Sequence, residues 1–291
     1  MLVATCMALS PAPAPGKAAS CLSWTLVQPG IAAFTTCCAY DRAGLGWSES
    51  PLVPWTFDRI LHELGLVLSQ SAGGQRAILV GHSFGSMIAR GFAARYPERV
   101  AALVLIDPPI EWINSTPERE RRLRWARYLS RLGAVLARVG FVRFSLRLLT
   151  GAHPGRSRRI ATAFGPAVAR VLTRLVGEVR KLPEDVHPLV QAHWSEPKCF
   201  HAMADHLLVL QREGRRVSAL EPPPDVPVVV ISGSHQPAGE IAAQRALAER
   251  SHHGRHVVAA RSGHWILFDE PDLVVSVVRD LVSRVMSGRR S

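Results

Sequence analysis

An α/β fold, with a mostly parallel sheet covered by helices on both faces and a helical insertion, is predicted by three features of this 291-residue sequence. Short β-branched and aliphatic runs alternate with helical patterns in the first third, as parallel strands joined by crossover helices require. The same alternation resumes near the C-terminus. Between these blocks lies a long stretch with no convincing strand, and it carries most of the charge. Of a formal net +12, residues 111–221 hold 20 Lys and Arg against 10 Asp and Glu.

The length suits one large core with an insertion better than two equal domains. The expected division is a core of residues 1–110 and 223–291 with a helical cap at 111–222. Strands are expected at 35–40, 77–80, 101–106, 227–232 and 256–260. Residues 1–14 have a short apolar run but no basic start, so they read as a core strand entering a loop rather than a secretion signal. No apolar run reaches the roughly 18 residues of a membrane span.

The insertion opens at Ser115-Thr116-Pro117-Glu118, a helix start with a capping hydroxyl and a proline in the first turn. Leu123, Leu129, Leu132, Leu136 and Val139 then recur at helical spacing, while Arg124, Arg127, Arg131 and Arg138 share another face. This predicts an amphipathic helix with the arginines on the solvated side. Gly133, Gly140 and Gly151 are expected to loosen or end its segments, His153-Pro154-Gly155 to separate it from further helices, and Pro222-Pro223-Pro224 to return the chain to the sheet.

Five cysteines include the adjacent pair Cys37 and Cys38. Neighbouring side chains on a strand point to opposite faces, so these read as separate core thiols, which fits a reducing, cytoplasmic setting.

The chemistry centres on Ile78-Leu79-Val80-Gly81-His82-Ser83-Phe84-Gly85-Ser86. A Gly-x-Ser-x-Gly turn directly between a strand and a helical run pushes the serine hydroxyl outward, and side chains at Gly81 and Gly85 would collide. The same turn aims the Phe84 amide where a tetrahedral oxyanion would form.

With Tyr40-Asp41-Arg42-Ala43-Gly44-Leu45-Gly46-Trp47-Ser48 before it and Tyr96-Pro97-Glu98-Arg99-Val100 after it, this motif resembles the α/β-hydrolase superfamily, in a serine esterase-like form with a helical cap. The resemblance extends over most of the chain. It implies Ser83 as nucleophile and His264, in Arg261-Ser262-Gly263-His264-Trp265, as the base that takes its proton. The usual acid position follows the strand at 226–231, yet Ser232-Gly233-Ser234-His235-Gln236-Pro237 holds no carboxylate before Glu240. Another placement, similar to haloalkane dehalogenases, is the end of the strand after the nucleophile helix, where Asp107 stands. Asp107 is the favoured acid and Glu240 the alternative. The second oxyanion donor is assigned to the Lys17 backbone, in the loop from Gly16 to Trp24. Pro11, Pro13 and Pro15 before that loop predict a short or irregular strand.

The resemblance implies hydrolysis of a small-molecule carboxylic ester through an acyl-enzyme, with no cofactor and no metal. Lactone or carbon–carbon bond hydrolysis by the same triad is the alternative, and a non-catalytic binding protein on this scaffold is a third reading. Trp112, Trp125, Phe141, Phe144 and Trp194 are candidates to line a cap pocket. His252, His253 and His256, and likewise His193, His201 and His206, lack convincing metal-ligand spacing. Three lysines stand against 32 arginines, and there is no nucleic-acid-binding motif. The arginine-rich cap leaves peripheral contact with an anionic membrane surface open.

Overall fold

The computed structural model describes residues 2–6, 22–53, 55–72, 74–110, 116–151 and 177–287. Among these, six strands form one sheet: β1 (Leu2–Cys6), β2 (Thr36–Ala39), β3 (Ala77–His82), β4 (Val100–Ile106), β5 (Val228–Gly233) and β6 (Arg255–Ala259). Their spatial order is β2-β1-β3-β4-β5-β6, and every neighbouring pair is parallel. The expected strands are all present within a residue or two of their predicted bounds. The run at the start of the chain is a strand inside the sheet.

The helices between and beyond the strands are α1 (Gln28–Ala32), α2 (Phe57–Ala72), α3 (Phe84–Arg95), α4 (Pro117–Arg138), α5 (Phe141–Gly151), α6 (His187–Trp194), α7 (Pro197–Ser218), α8 (Ala238–Ala248), α9 (Ile266–Asp269) and α10 (Pro271–Ser287). Alternation along the strands divides the core in two. Leu79, Leu103, Leu105, Val228 and Val230 pack with Leu64 of α2, Phe92 of α3 and Leu247 of α8. Ile78, Val80, Val104, Ile106, Val229 and Ile231 face the other way, against Trp24, Ile31 of α1, Ile266 of α9 and Val278 of α10. Most of these side chains are fully buried, each stabilising the fold by roughly 1.5–3 kcal/mol. Cys38 packs against the first cluster and Cys37 against the second, neither in a disulfide. Burial pushes the Cys37 thiol up to about 12, with Cys38 adding to the shift.

Register positions the site. His82 of β3 lies opposite Ile106 of β4, which lies opposite Ile231 of β5. The carboxyl ends of the three central strands are therefore level. The chain runs outward from β1 to β2, then returns to β3 on the other side of β1. Parallel sheets open a ligand crevice at such a reversal, outside the strand carboxyl ends.

The helices α4 to α7 lie in sequence between β4 and β5. Arg90 of α3, 1% exposed, ties their end to the core by donating from Nη2 to the Ser218 and Leu220 carbonyls at 3.0 and 2.6 Å. Burial lowers its pKa to about 10, so it remains a cation near neutral pH.

In helix α4 Arg124, Arg131 and Arg138 are exposed as expected, but the expected loosening at Gly133 is absent. The helix continues unbroken through Gly133, where a Cβ would run into the Phe200 ring of α7. Its buried positions are Leu123, Ser130, Ala134 and Ala137, while Leu129, Leu132 and Val139 face solvent. Small side chains allow two helix axes to approach closely, so the small face packs on α7 and the larger apolar side chains turn outward. Among the described residues no helix is long and apolar enough to cross a membrane.

Candidate active site

The turn after β3 has the strained form its sequence predicts. Ser83 adopts φ 53° and ψ −121°, a left-handed backbone that only a well-supported non-glycine residue tolerates. A Cβ on Gly81 would strike the Gly85 carbonyl and the Ser86 nitrogen. The Ser83 amide donates to the Ile106 carbonyl at 2.9 Å, pinning the turn to β4. Phe84 begins α3, so its amide belongs to the free N-terminal turn of that helix.

Asp107 follows β4 at the matching height. It too has positive φ, 44°, and its amide donates to the Ile231 carbonyl at 2.8 Å. Its carboxylate is buried, and Oδ2 lies 2.5 Å from His264 Nδ1. Burial works to raise this carboxyl's pKa, but hydrogen bonds from His264 and Gln244 outweigh it, and the result is a pKa below the usual carboxylate range. Glu240 lies elsewhere, with Oε1 accepting the Ile110 amide at 3.4 Å.

Two glutamines complete the surroundings of Asp107, and sequence reasoning missed both. Gln236 donates to Oδ2 at 2.5 Å, and Gln244 of α8 donates to Oδ1 at 2.9 Å and to the Pro108 carbonyl at 3.0 Å. Gln236 sits in the loop after β5, the usual acid position of the resembled family. An amide there signals that the acid lies across from it.

His264 lies beyond β6, with a third of its side chain exposed. Its carbonyl accepts from Nε2 of His82, the residue before Ser83, at 2.7 Å, and the two imidazole rings lie 4.7 Å apart. Burial and the neighbouring His264 push the His82 pKa down to about 3, so this ring is neutral and donates through Nε2. The same loop is braced by β5: the His235 amide donates to the Ser262 carbonyl at 3.0 Å, and Gly233 packs so closely on Gly263 that a Cβ would not fit. The structure thus brings together the Ser83 turn, Asp107 and His264 at the level carboxyl ends of the sheet. Lys17 and Gly16 lie outside the described residues, as does Trp112.

Around Phe84 stand residues that the sequence did not single out for this place. The Arg42 guanidinium lies over its ring at 5.1 Å, and buried His206 approaches at 5.2 Å while stacking edge-on against Trp55. Burial, followed by the Arg42 charge, holds His206 well below the usual histidine range. Asp41 is buried beside them; burial pushes its carboxyl up to about 8 although the Trp47 amide donates to it. Of the aromatic side chains considered for a pocket, Trp194 packs against the core, whereas Trp125, Phe141 and Phe144 are exposed. The other histidines have separate surroundings: His256 meets the Ser232 hydroxyl, His252 pairs with Asp225 and His193 stacks on Trp47.

The chain matches the family model described as alpha/beta hydrolase fold over residues 14–271. It is 43% identical over 67 residues to Lipase LipV of Mycobacterium tuberculosis, a match covering 23% of this chain and 25% of the lipase. It is 25% identical over 280 residues to Abhydrolase domain-containing protein abhd-5.2 of Caenorhabditis elegans, covering 90% of this chain and 56% of that protein. Each match thus spans less than two thirds of the relative's length. A thermophilic esterase from Thermogutta terrifontis, solved with malate bound, superposes with a TM-score of 0.59 at 17% identity, covering 98% of this chain and 89% of that one. That likeness concerns the fold alone, and the family match extends across most of the sequence. The chain belongs to the α/β-hydrolase fold family.

Proposed function

We propose that this chain is a serine hydrolase that cleaves small-molecule carboxylic esters through an acyl-enzyme. The observation that carries the reading is the His264–Asp107 pair at 2.5 Å, held against the strained Ser83 turn through the His82 to His264 hydrogen bond. A buried carboxylate with a depressed pKa, bound to one imidazole nitrogen, leaves the other nitrogen to act as a base. The names of a matched lipase and a structurally similar esterase are consistent with this reading.

In this mechanism the Ser83 oxygen attacks the ester carbonyl while His264 Nε2 takes the hydroxyl proton. Asp107 accepts from Nδ1–H and stabilises the imidazolium. The carbonyl oxygen becomes an oxyanion facing the amide of Phe84, and the second donor is assigned from the sequence alone to the Lys17 backbone. Collapse of the intermediate breaks the C–O bond, and the departing alkoxide takes the proton from His264. Water then attacks the acyl-serine, again with His264 as base, releasing the acid and restoring Ser83. The core is assigned to residues 1–110 and 223–291, and the helices of 111–222 act as a cap that limits which acyl groups reach Ser83.

Turnover of a panel of p-nitrophenyl esters and lactones by the wild type and by Ser83→Ala tests the reading. Ester turnover lost in Ser83→Ala supports it. Turnover confined to lactones moves the substrate class, and no turnover of either, with Ser83 unreactive, removes the hydrolase assignment.

A further inference from the structure

One face of α4, continued by α5, carries an apolar stripe that is exposed among the described residues. On α4, Trp125, Tyr128, Leu129, Leu132, Val135 and Val139 are 42–73% exposed, and Phe141 and Phe144 of α5 extend the run at 39% and 65%. At 100° per residue, Trp125, Tyr128, Leu132, Val135 and Val139 fall within an arc of about 80°. That arc lies opposite the buried face of Leu123, Ser130, Ala134 and Ala137. Eight such side chains expose on the order of several hundred Å² of apolar surface, an area that marks an interaction site more often than plain solvent contact.

Charge specifies what meets this surface. The α4 sequence contains seven arginines against two glutamates. Arg124, Arg131 and Arg138 recur every seven residues along one flank of the stripe, and among the described residues they form no ion pair. Both glutamates lie in the first turn of α4, and from Arg124 to Val139 the ridge is flanked by arginines with no acidic residue, the composition of a helix segment lying in a bilayer interface. Its ridge would sit among acyl chains and its guanidinium groups at headgroup phosphates.

We propose that the exposed face of α4 and α5 docks this protein onto an anionic lipid surface, with the aromatic ridge inserted and the flanking arginines on the lipid phosphates. The docking involves none of the residues around Ser83, so binding without substrate reads it separately from ester hydrolysis.

Flotation of the full chain with phosphatidylcholine vesicles, with and without about one quarter phosphatidylglycerol, tests it. The expected result is binding to the anionic vesicles at least tenfold tighter than to the neutral ones, and weakened by about 0.5 M NaCl. Two exposed-surface variants each lose at least tenfold in affinity: Leu132→Glu with Val135→Glu, and Arg124→Gln with Arg131→Gln and Arg138→Gln. Both keep wild-type circular dichroism and wild-type turnover of a soluble ester. Equal binding to neutral vesicles, no binding to either, or binding that only the arginine variant loses would overturn the proposal. So would a concentration-dependent dimer abolished by Leu132→Glu with Val135→Glu, which would assign the stripe to a second copy, or duplex DNA bound as tightly as the anionic vesicles.

Discussion

His264 Nδ1 lies 2.5 Å from Asp107 Oδ2, although the two residues are 157 positions apart in the chain. The contact depends on β4 and β5 ending level and on the β5 loop bracing the histidine loop. It also selects between the two carboxylates that the sequence left open, because Glu240 bonds to the Ile110 amide instead.

Asp107→Asn is expected to lower kcat by about 10³- to 10⁴-fold, because an amide neither enforces the correct tautomer of His264 nor stabilises its cation. Glu240→Gln should change kcat by less than about threefold. Steady-state kinetics on a p-nitrophenyl ester check both. A larger loss from Glu240→Gln than from Asp107→Asn would reverse the assignment of the acid.

Gln244 is buried, donates to Asp107 and Pro108 and meets the Ser232 hydroxyl. Gln244→Leu takes the amide donor from Asp107 Oδ1 and the Pro108 carbonyl, while Oδ2 keeps His264 and Gln236 and the Ser232 hydroxyl keeps His256, and should destabilise the fold by about 1–3 kcal/mol in urea unfolding. Gln236 is less buried, and its side-chain amide donates to Asp107. Gln236→Leu is expected to lower kcat roughly tenfold with KM and stability nearly unchanged, while Gln236→Asn recovers part of the loss. Equal effects on kcat and KM would contradict a role in positioning Asp107.

The Asp107 pKa is depressed in the folded chain. Its contribution to stability is therefore complete above the unfolded carboxylate value of about 3.9 and is lost as pH falls through the lower folded value. The melting temperature of the wild type should fall more steeply below about pH 4 than that of Asp107→Asn. Parallel curves for the two proteins would show that Asp107 is not linked to folding in this way.

Gly81→Ala should destabilise the chain by more than about 2 kcal/mol, since the added methyl meets backbone rather than a movable side chain. Gly263→Ala, whose Cβ would find only His235 at 3.8 Å, is the matched control and should cost less. Denaturant midpoints compare the two.

Local chemistry explains which features were legible in the sequence. The Ser83 turn is written in a few consecutive residues, because the clash at Gly81 and the strain at Ser83 are short-range. The strands were legible because both faces of a parallel sheet are buried, leaving continuous aliphatic runs. Asp107 was legible only through the missing carboxylate after β5. Gln236 and Gln244 were not, because an amide that supports an acid more than a hundred residues away has no local pattern. The solvated arginines of α4 were legible, but which of its other faces is buried was not. Its leucines and arginines define an amphipathic helix, but Ser130, Gly133, Ala134 and Ala137 define a second, smaller face, and the fit of Phe200 against Gly133 decides which face is buried.

The central claim is that Ser83 is a nucleophile activated by His264. Its most direct test is labelling of the folded chain with a fluorophosphonate, followed by mass mapping of the modified residue. A single adduct on Ser83 is expected, absent in Ser83→Ala and slowed at least a hundredfold in His264→Ala. A folded wild type that remains unlabelled, or an adduct that persists in Ser83→Ala, would contradict it.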